Sequence, residues 1–402
     1  MKPKKIGLLL IIIFLLGSII FENKISIVKY FDEVLVLVFL LFTIFNLLLK
    51  RIKLSLRDTF LIFTWIGLIF IGIISNVFIK IDRKIFEICL DIVSFSKLFI
   101  FIICTKYLFS YKTVDSFFDS LVKISKCLVI LLFVLSIGSV FFDFGMRGQK
   151  RFGIYGFNFI FEYAHEFSVF VLCLYTVLYL KLKKRRDRIL YSFLIFFVLI
   201  LTLKGPSMLI PFIFLGFSSI YKYKNKLNVL IILSFLMVIC IWISKFQIIN
   251  YLTNENAPRY LLFKYGFITA RNYFPFGSGF GTYGSSIAAS AYSPLYEAYG
   301  FSSLYGMSPE DYQFLNDTYY PMIIGQFGIL GALIMSFVFY SFFKTCFQCY
   351  NRKNKIISSI LLCYFIIHSV GSAILTSSAG VLGLIFISLV WKYDEGKRKY
   401  EV

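Results

Sequence analysis

Residues 60–79 read FLIFTWIGLIFIGIISNVFI, twenty positions without a single charged side chain. Coiled as a helix, such a run is about 30 Å long, the thickness of a bilayer's hydrocarbon core. Comparable runs recur near 6–21, 34–49, 86–104, 127–144, 159–180, 189–203, 207–221, 227–243, 319–343, 356–375 and 379–391. The 402-residue chain is 59% hydrophobic and 20% aromatic, with a mean hydropathy of +0.82. That is more apolar surface than a soluble fold can enclose. The expected fold class is therefore an all-α polytopic membrane protein with about twelve transmembrane helices and one large external loop. The runs at 207–221 and 379–391 are short for a span, so flanking Lys and Tyr must snorkel. Around Pro206 and Pro211, neighbouring helices or Ser/Thr side chains must satisfy the freed backbone groups.

Charge sets an orientation. The first run follows Lys2, Lys4 and Lys5, and the residues after it (GSIIFENK) offer no small-x-small cleavage site, so it reads as an uncleaved anchor. With both termini cytoplasmic, 28 Lys and Arg fall in inner segments and 13 in outer ones, while Lys97 lies within the fourth run. This excess follows the positive-inside rule and supports twelve spans in this orientation. It also explains the net charge of +21 through basic loops facing anionic lipid, so no nucleic-acid partner is expected.

Six of the eight cysteines fall within or at the ends of apolar runs, where Cys packs as a small hydrophobe. Cys346-x-x-Cys349 has neither a second pair nor a thioredoxin-like context. With only His165 and His368 in the chain, no zinc ligand set forms. No metal and no cofactor is expected.

The long segment between apolar runs, 244–318, separates an N-terminal membrane bundle of about nine helices (1–243) from about three C-terminal helices and a cytoplasmic tail (319–402). It holds ten tyrosines among 75 residues, too aromatic for a disordered tether. Its aromatic faces suit sugars or lipid headgroups, and equally an interfacial belt. Within it, Gly279-Phe-Gly281-Thr-Tyr-Gly284 fits the G-x-G-x-x-G pattern, but no strand, following helix or ribose-binding acid surrounds it, and an external loop meets no nucleotide. The glycines at 277, 279 and 281 are instead expected to free the backbone to approach a ligand closely.

The stretches ARNYFPFGSGFGTYGSSIAASAYSPLYEAYG (270–300) and LNDTYYPMIIGQFGILGALI (315–334) resemble the signature region of Wzy-type oligosaccharide repeat-unit polymerases of capsule, exopolysaccharide and O-antigen assembly. RGQKRFGIYGFNFI (147–160) and LTLKGPSML (201–209) are weaker echoes. The resemblance implies transfer of a growing glycan from undecaprenyl pyrophosphate onto a newly flipped lipid-linked repeat unit, at the outer face of the plasma membrane. It implies no nucleotide sugar and no metal. It also implies undecaprenyl-pyrophosphate-linked oligosaccharides and membrane lipid as ligands, and the pathway's flippase and chain-length regulator as partners.

That chemistry needs cations for the departing pyrophosphate and a base for the attacking hydroxyl. Arg147, Arg151, Lys204, Arg259 and Arg271 are the cationic candidates, each open to the alternative of a snorkelling anchor. Asp317, in LNDTYY, is the first candidate base, with helix capping as its structural alternative. Glu166 is a second, one helical turn from Glu162 beside His165, with ion pairing to Arg147 or Arg151 as its alternative. Glu87 and Asp91 stand ready to pair with Lys97 or to line a cavity. Related O-antigen ligases carry a His where this chain has Asp317, which favours polymerisation over ligation. A flippase for the same lipid-linked sugars is the reading from another class, but no matching second half of the chain supports it.

Overall fold

The computed structural model describes residues 3–22, 24–25, 28, 30–50, 54–221 and 254–401, with positions 234, 238 and 245. It is about 75% helical. In chain order the elements are α1 (Pro3–Phe21), α2 (Phe31–Lys50), α3 (Leu56–Ile79), α4 (Ile85–Leu108), α5 (Tyr111–Phe141), β1 (Arg147–Arg151), β2 (Ile154–Phe157), α6 (Ala164–Lys181), α7 (Arg185–Leu201), α8 (Gly205–Met208) and α9 (Ile210–Ile220). They continue with α10 (Pro258–Asn272), α11 (Ser286–Ser290), α12 (Pro294–Ala298), α13 (Tyr319–Gln348), α14 (Arg352–His368) and α15 (Ser378–Glu401). Each predicted apolar run coincides with helix except 227–243, which lies outside the described residues apart from positions 234 and 238.

Among the described residues seven helices, α1 to α6 and α13, are long and apolar enough to cross a membrane. On α3 the side chains of Phe63, Phe70 and Phe78 are 65–79% exposed. A row of bare aromatic rings seven or eight residues apart is a lipid-facing stripe, since water would exclude it. The chain is thus a helical membrane protein by its apolar helices.

The core runs along α4 and α15. Helix α4 packs on α2, α3 and α15, and α15 in turn on α1, α5, α6 and α14. Close approach is allowed by small residues: a Cβ on Gly383 would lie 2.0 Å from the Phe365 ring. The Ser388 hydroxyl donates to the Ile102 carbonyl at 2.8 Å, linking α15 to α4.

The charged side chains in this core are paired. Lys97 of α4 is 2% exposed and donates to Asp32 Oδ2 and Glu33 Oε1, both at 2.7 Å, and to the Thr376 carbonyl at 2.8 Å. All three ammonium donors are used. Glu87 pairs with Arg83 at 3.3 Å instead, and Asp91 is engaged elsewhere, so neither is the partner of Lys97 that their spacing suggested. At the end of the bundle where α4 finishes, Asp58 accepts from Lys106 (2.8 Å) and Tyr107 (2.6 Å). There too Asp394 accepts from the amides of Tyr350 and Asn351, holding the α13–α14 turn against α15.

Because removing the cation strands buried Asp32 and half-buried Glu33, Lys97→Met is expected to destabilise the protein by about 3–5 kcal/mol. Thermal unfolding of the detergent-solubilised variant measures this.

Candidate functional site

Between α5 and α6 the chain turns back in a short hairpin. Strands β1 and β2 pair Arg151 with Ile154 and Arg147 with Phe157, with an irregularity between. Phe152 (φ 52°) and Gly153 (φ 82°) make the two-residue connection, both left-handed as a type I′ turn demands. Gly156 lies flat on the end of α7: a Cβ there would sit 2.8 Å from the Thr202 carbonyl oxygen. The hairpin is thereby held against the α7–α8 junction, and the two weaker sequence echoes, 147–160 and 201–209, become neighbours.

They enclose a cavity of about 410 Å³. Arg147, Arg151 and Lys204 supply positive charge to its lining, Glu162 one carboxylate, and Asn158 and Thr202 neutral polar groups. Phe159 at its wall (φ 56°), and Leu203 (φ 53°) between the lining residues Thr202 and Lys204, hold left-handed backbone. Strain of this kind persists only where surrounding contacts enforce it, and it concentrates at functional sites. Arg151 donates to the Leu203 carbonyl at 3.4 Å and to Gln149 Oε1 at 3.0 Å, which joins hairpin and junction.

Lys204 is the hub. Burial, then the like charges of Arg259 and Arg151, lower its ammonium to about 8, against the opposing pull of Asp317. The charges that act on it come from three separate parts of the chain. Arg259, in the first turn of α10, meets Asp317 just before α13, with Nη2 to Oδ2 at 2.7 Å. Burial raises the Asp317 carboxyl above its ordinary value, although Arg259 and Lys204 both pull it down. Thr318 occupies the N-cap position of α13, so Asp317 is an ion-pair partner rather than a cap.

The same neighbourhood holds both histidines. The rings of His165 and His368 lie 5.2 Å apart, and His368 is within electrostatic reach of Lys204 and Arg259. His368 is 2% exposed, with no hydrogen-bond partner on either ring nitrogen among the described residues. In the sequence His165 stands beside Glu162 and Glu166, and the two histidines fall short of a zinc ligand set, but nothing links one to the other. Being 203 positions apart in the chain, they carry no local pattern to join them. The one available signal was that each sits at the same predicted membrane face.

Three expectations need correction. Arg147 donates to the Ser139 and Val140 carbonyls at 2.8 and 3.2 Å. It lines the cavity but caps the C-terminal end of α5, with its guanidinium over the Tyr155 ring. Glu166 accepts from the Tyr163 amide at 3.3 Å and closes the first turn of α6. Glu162 is the carboxylate of the cavity wall. Arg271 stands exposed in the last turn of α10, about 18 Å along the helix from Arg259. The structure does not bring those two arginines together.

The glycine loop changes most. Gly277, Gly279 and Gly281 have φ of 77°, 92° and 70°, as the need for glycine there foretold, but they are buried and their amides are occupied by the protein itself. Gly277 donates to the Tyr273 carbonyl, Ser278 to the Gly325 carbonyl and Gly279 to the Gln326 carbonyl, at 2.8 to 2.9 Å. Phe280 donates to Asn76 Oδ1 at 2.8 Å and Gly281 to Asp91 Oδ2 at 2.6 Å. The anion in this nest is Asp91, which also accepts from Gln326 at 2.8 Å. The loop is a plug between α3, α4 and α13 and not a phosphate cradle. Nor are the tyrosines of 254–318 a sugar platform or a belt throughout: Tyr283 and Tyr296 are fully buried in a small core of their own with Leu262 and Phe301.

Compared with protein-family models, curated proteins and solved structures, the chain matches none. What can be said of this site rests on its own geometry.

A Cβ at residue 277 would stand 2.3 Å from the Gly328 amide nitrogen. Gly277→Ala is therefore expected to destabilise the protein by more than about 1 kcal/mol, while Arg271→Ala stays within about 0.5 kcal/mol of the parent. Thermal unfolding of the two variants side by side checks both.

Proposed function

We propose that this protein polymerises undecaprenyl-pyrophosphate-linked oligosaccharide repeat units at the outer face of the plasma membrane. In this reading the chain spans the bilayer about twelve times with both termini cytoplasmic, and 244–318 is the external segment between 1–243 and 319–402. The observation that carries the proposal is the gathering of half-buried Arg151, Lys204, Arg259 and Asp317 at one place, next to a basic cavity. Arg151, Lys204 and Asp317 come from the stretches whose sequence resembles the polymerases, and Arg259 stands just before 270–300. Undecaprenyl-pyrophosphate-linked oligosaccharides would be both donor and acceptor. The pathway's flippase and chain-length regulator would be partners.

The chemistry follows from the residues. An acceptor sugar hydroxyl attacks the anomeric carbon of the donor glycan, the bond from that carbon to the pyrophosphate oxygen breaks, and undecaprenyl pyrophosphate leaves. Lys204, Arg259 and Arg151 offset the charge growing on the departing oxygen, in surroundings where water screens little. Asp317 receives the hydroxyl proton. Its raised carboxyl suits that role, because a base works best when its pKa approaches the working pH.

A transporter reading draws on one feature, the break in α13 at Gly328 (φ 64°, ψ −164°), since interrupted helices line many transport sites. Here, however, the carbonyls of Gly325 and Gln326 beside the break accept from the glycine loop and line no pathway.

Deleting the gene separates the readings. Single lipid-linked repeats accumulating on the outer leaflet, with the polymer ladder lost, is the expected result. Repeats trapped on the inner leaflet would instead indicate a flippase, and finished lipid-linked polymer that never reaches its acceptor would indicate a ligase.

The pH dependence tests the hub. With its ammonium near 8, Lys204 is charged at neutral pH and loses that charge as pH rises through about 8. Polymerisation is expected to fall along an alkaline limb in that range. Lys204→Arg, which stays protonated, should carry activity beyond the limb. Polymer yield across pH 6.5–9.5, a window of about three units centred on this group, gives the comparison.

A further inference from the structure

The cavity beside the hairpin contains a feature that neither pyrophosphate nor a bare anion explains. Asn158 is 8% exposed and its Oδ1 has no hydrogen-bond partner among the described residues. The amide cannot simply be turned over. Its Nδ2 donates to the Glu162 carbonyl at 3.1 Å, and a flip would set two oxygens against each other. Gly148 presses on the same group, since a Cβ there would lie 2.7 Å from both amide atoms. The main-chain amide of Asn158 is tied down as well, donating to the Met146 carbonyl at 3.0 Å. The side chain is therefore held with one acceptor buried at the cavity wall, and a buried acceptor without a donor is costly.

Phosphate and pyrophosphate bring acceptors almost exclusively, so they answer the cations of this cavity but not Asn158. A neutral sugar brings hydroxyl donors for Asn158 but leaves three cations facing one carboxylate. Only a ligand with both properties satisfies the whole lining. Phe159 and Phe161, also at the wall, give such a ring an apolar face to rest on. A volume of about 410 Å³ lies at the small end of ligand sites and fits one sugar unit rather than a chain.

We propose that this cavity is a subsite for a single anionic sugar unit, with a ring hydroxyl donating to Asn158 Oδ1 and the negative charge facing Arg151 and Lys204. The charge has two possible sources in a lipid-linked glycan: the phosphate on the anomeric carbon of the first sugar, or the carboxylate of a uronic acid within the repeat. The proposal rests on the polymerase reading for its setting, but the binding preference stands or falls separately.

The test uses the full-length protein in lipid nanodiscs, with four probes ranked by calorimetry or saturation-transfer NMR. These are a hexose 1-phosphate, a hexuronate, the neutral hexose and inorganic pyrophosphate. One of the two anionic sugars is expected to bind at least about tenfold more tightly than both the neutral hexose and pyrophosphate, and which one does so identifies the source of the charge. Asn158→Ala should bring that ligand down to the level of pyrophosphate without changing pyrophosphate binding, and Lys204→Gln should weaken both. Pyrophosphate binding as well as the best sugar, a neutral hexose binding equally well, or no probe binding at all would each overturn the proposal. If Asn158→Ala does not fold, the ranking in the unmodified protein decides. Selective binding in a protein whose deletion leaves the polymer ladder intact would keep the subsite and discard the polymerase.

Discussion

The fold turns on one junction, where the break in α13 at Gly328 receives the glycine loop. A helix interrupted within apolar surroundings leaves carbonyls that no water can satisfy, each costing several kcal/mol. Here Ser278 and Gly279 supply the amides, Asn76 grips Phe280 from α3, and Asp91 takes Gly281 from α4. Two backbones must touch for this to happen. The space a Cβ would need on Gly328 is taken by the Pro275 carbonyl, 2.3 Å away, so glycine on both sides is a condition of contact. The consequence reaches the site: α10 leads into this loop and α13 leaves from it, and their first turns carry Arg259 and the approach to Asp317.

The site works against its own electrostatics. Three half-buried cations gathered at one place repel one another, and partial burial removes some of the water that would screen them. Asp317 answers only part of that charge, and Lys204 yields, its ammonium lowered to about 8. A cluster in this condition gains most from an anion. The strained backbone at Phe159 and Leu203 fits the same pattern, since conformations that cost free energy are retained where they place functional groups.

The positions of the helices were legible in the sequence because each apolar run reports its own environment, and every described run is helical. The need for glycine at 277, 279 and 281 was legible too, as turn chemistry is local. The roles of the candidates were not. Arg147 and Arg151 sit four residues apart in one hairpin, yet one caps α5 while the other reaches the α7–α8 junction. Glu166 and Asp317 are both carboxylates next to a helix start, yet the first caps its helix and the second pairs with Arg259. Local sequence offers the same signal for both fates.

By itself, then, the sequence determined that this is a helical membrane protein, because hydrocarbon selects for length and apolarity, which add up residue by residue along the chain. It also marked the basic and acidic residues from which a site could be drawn. Only the tertiary structure decided which of them meet. Lys204 joins Arg259, Asp317 and the two histidines, Arg271 is left apart, and the glycine nest closes on Asp91. A partner for a buried charge or a freed amide is found across tens to hundreds of residues, and no local pattern records which one it will be.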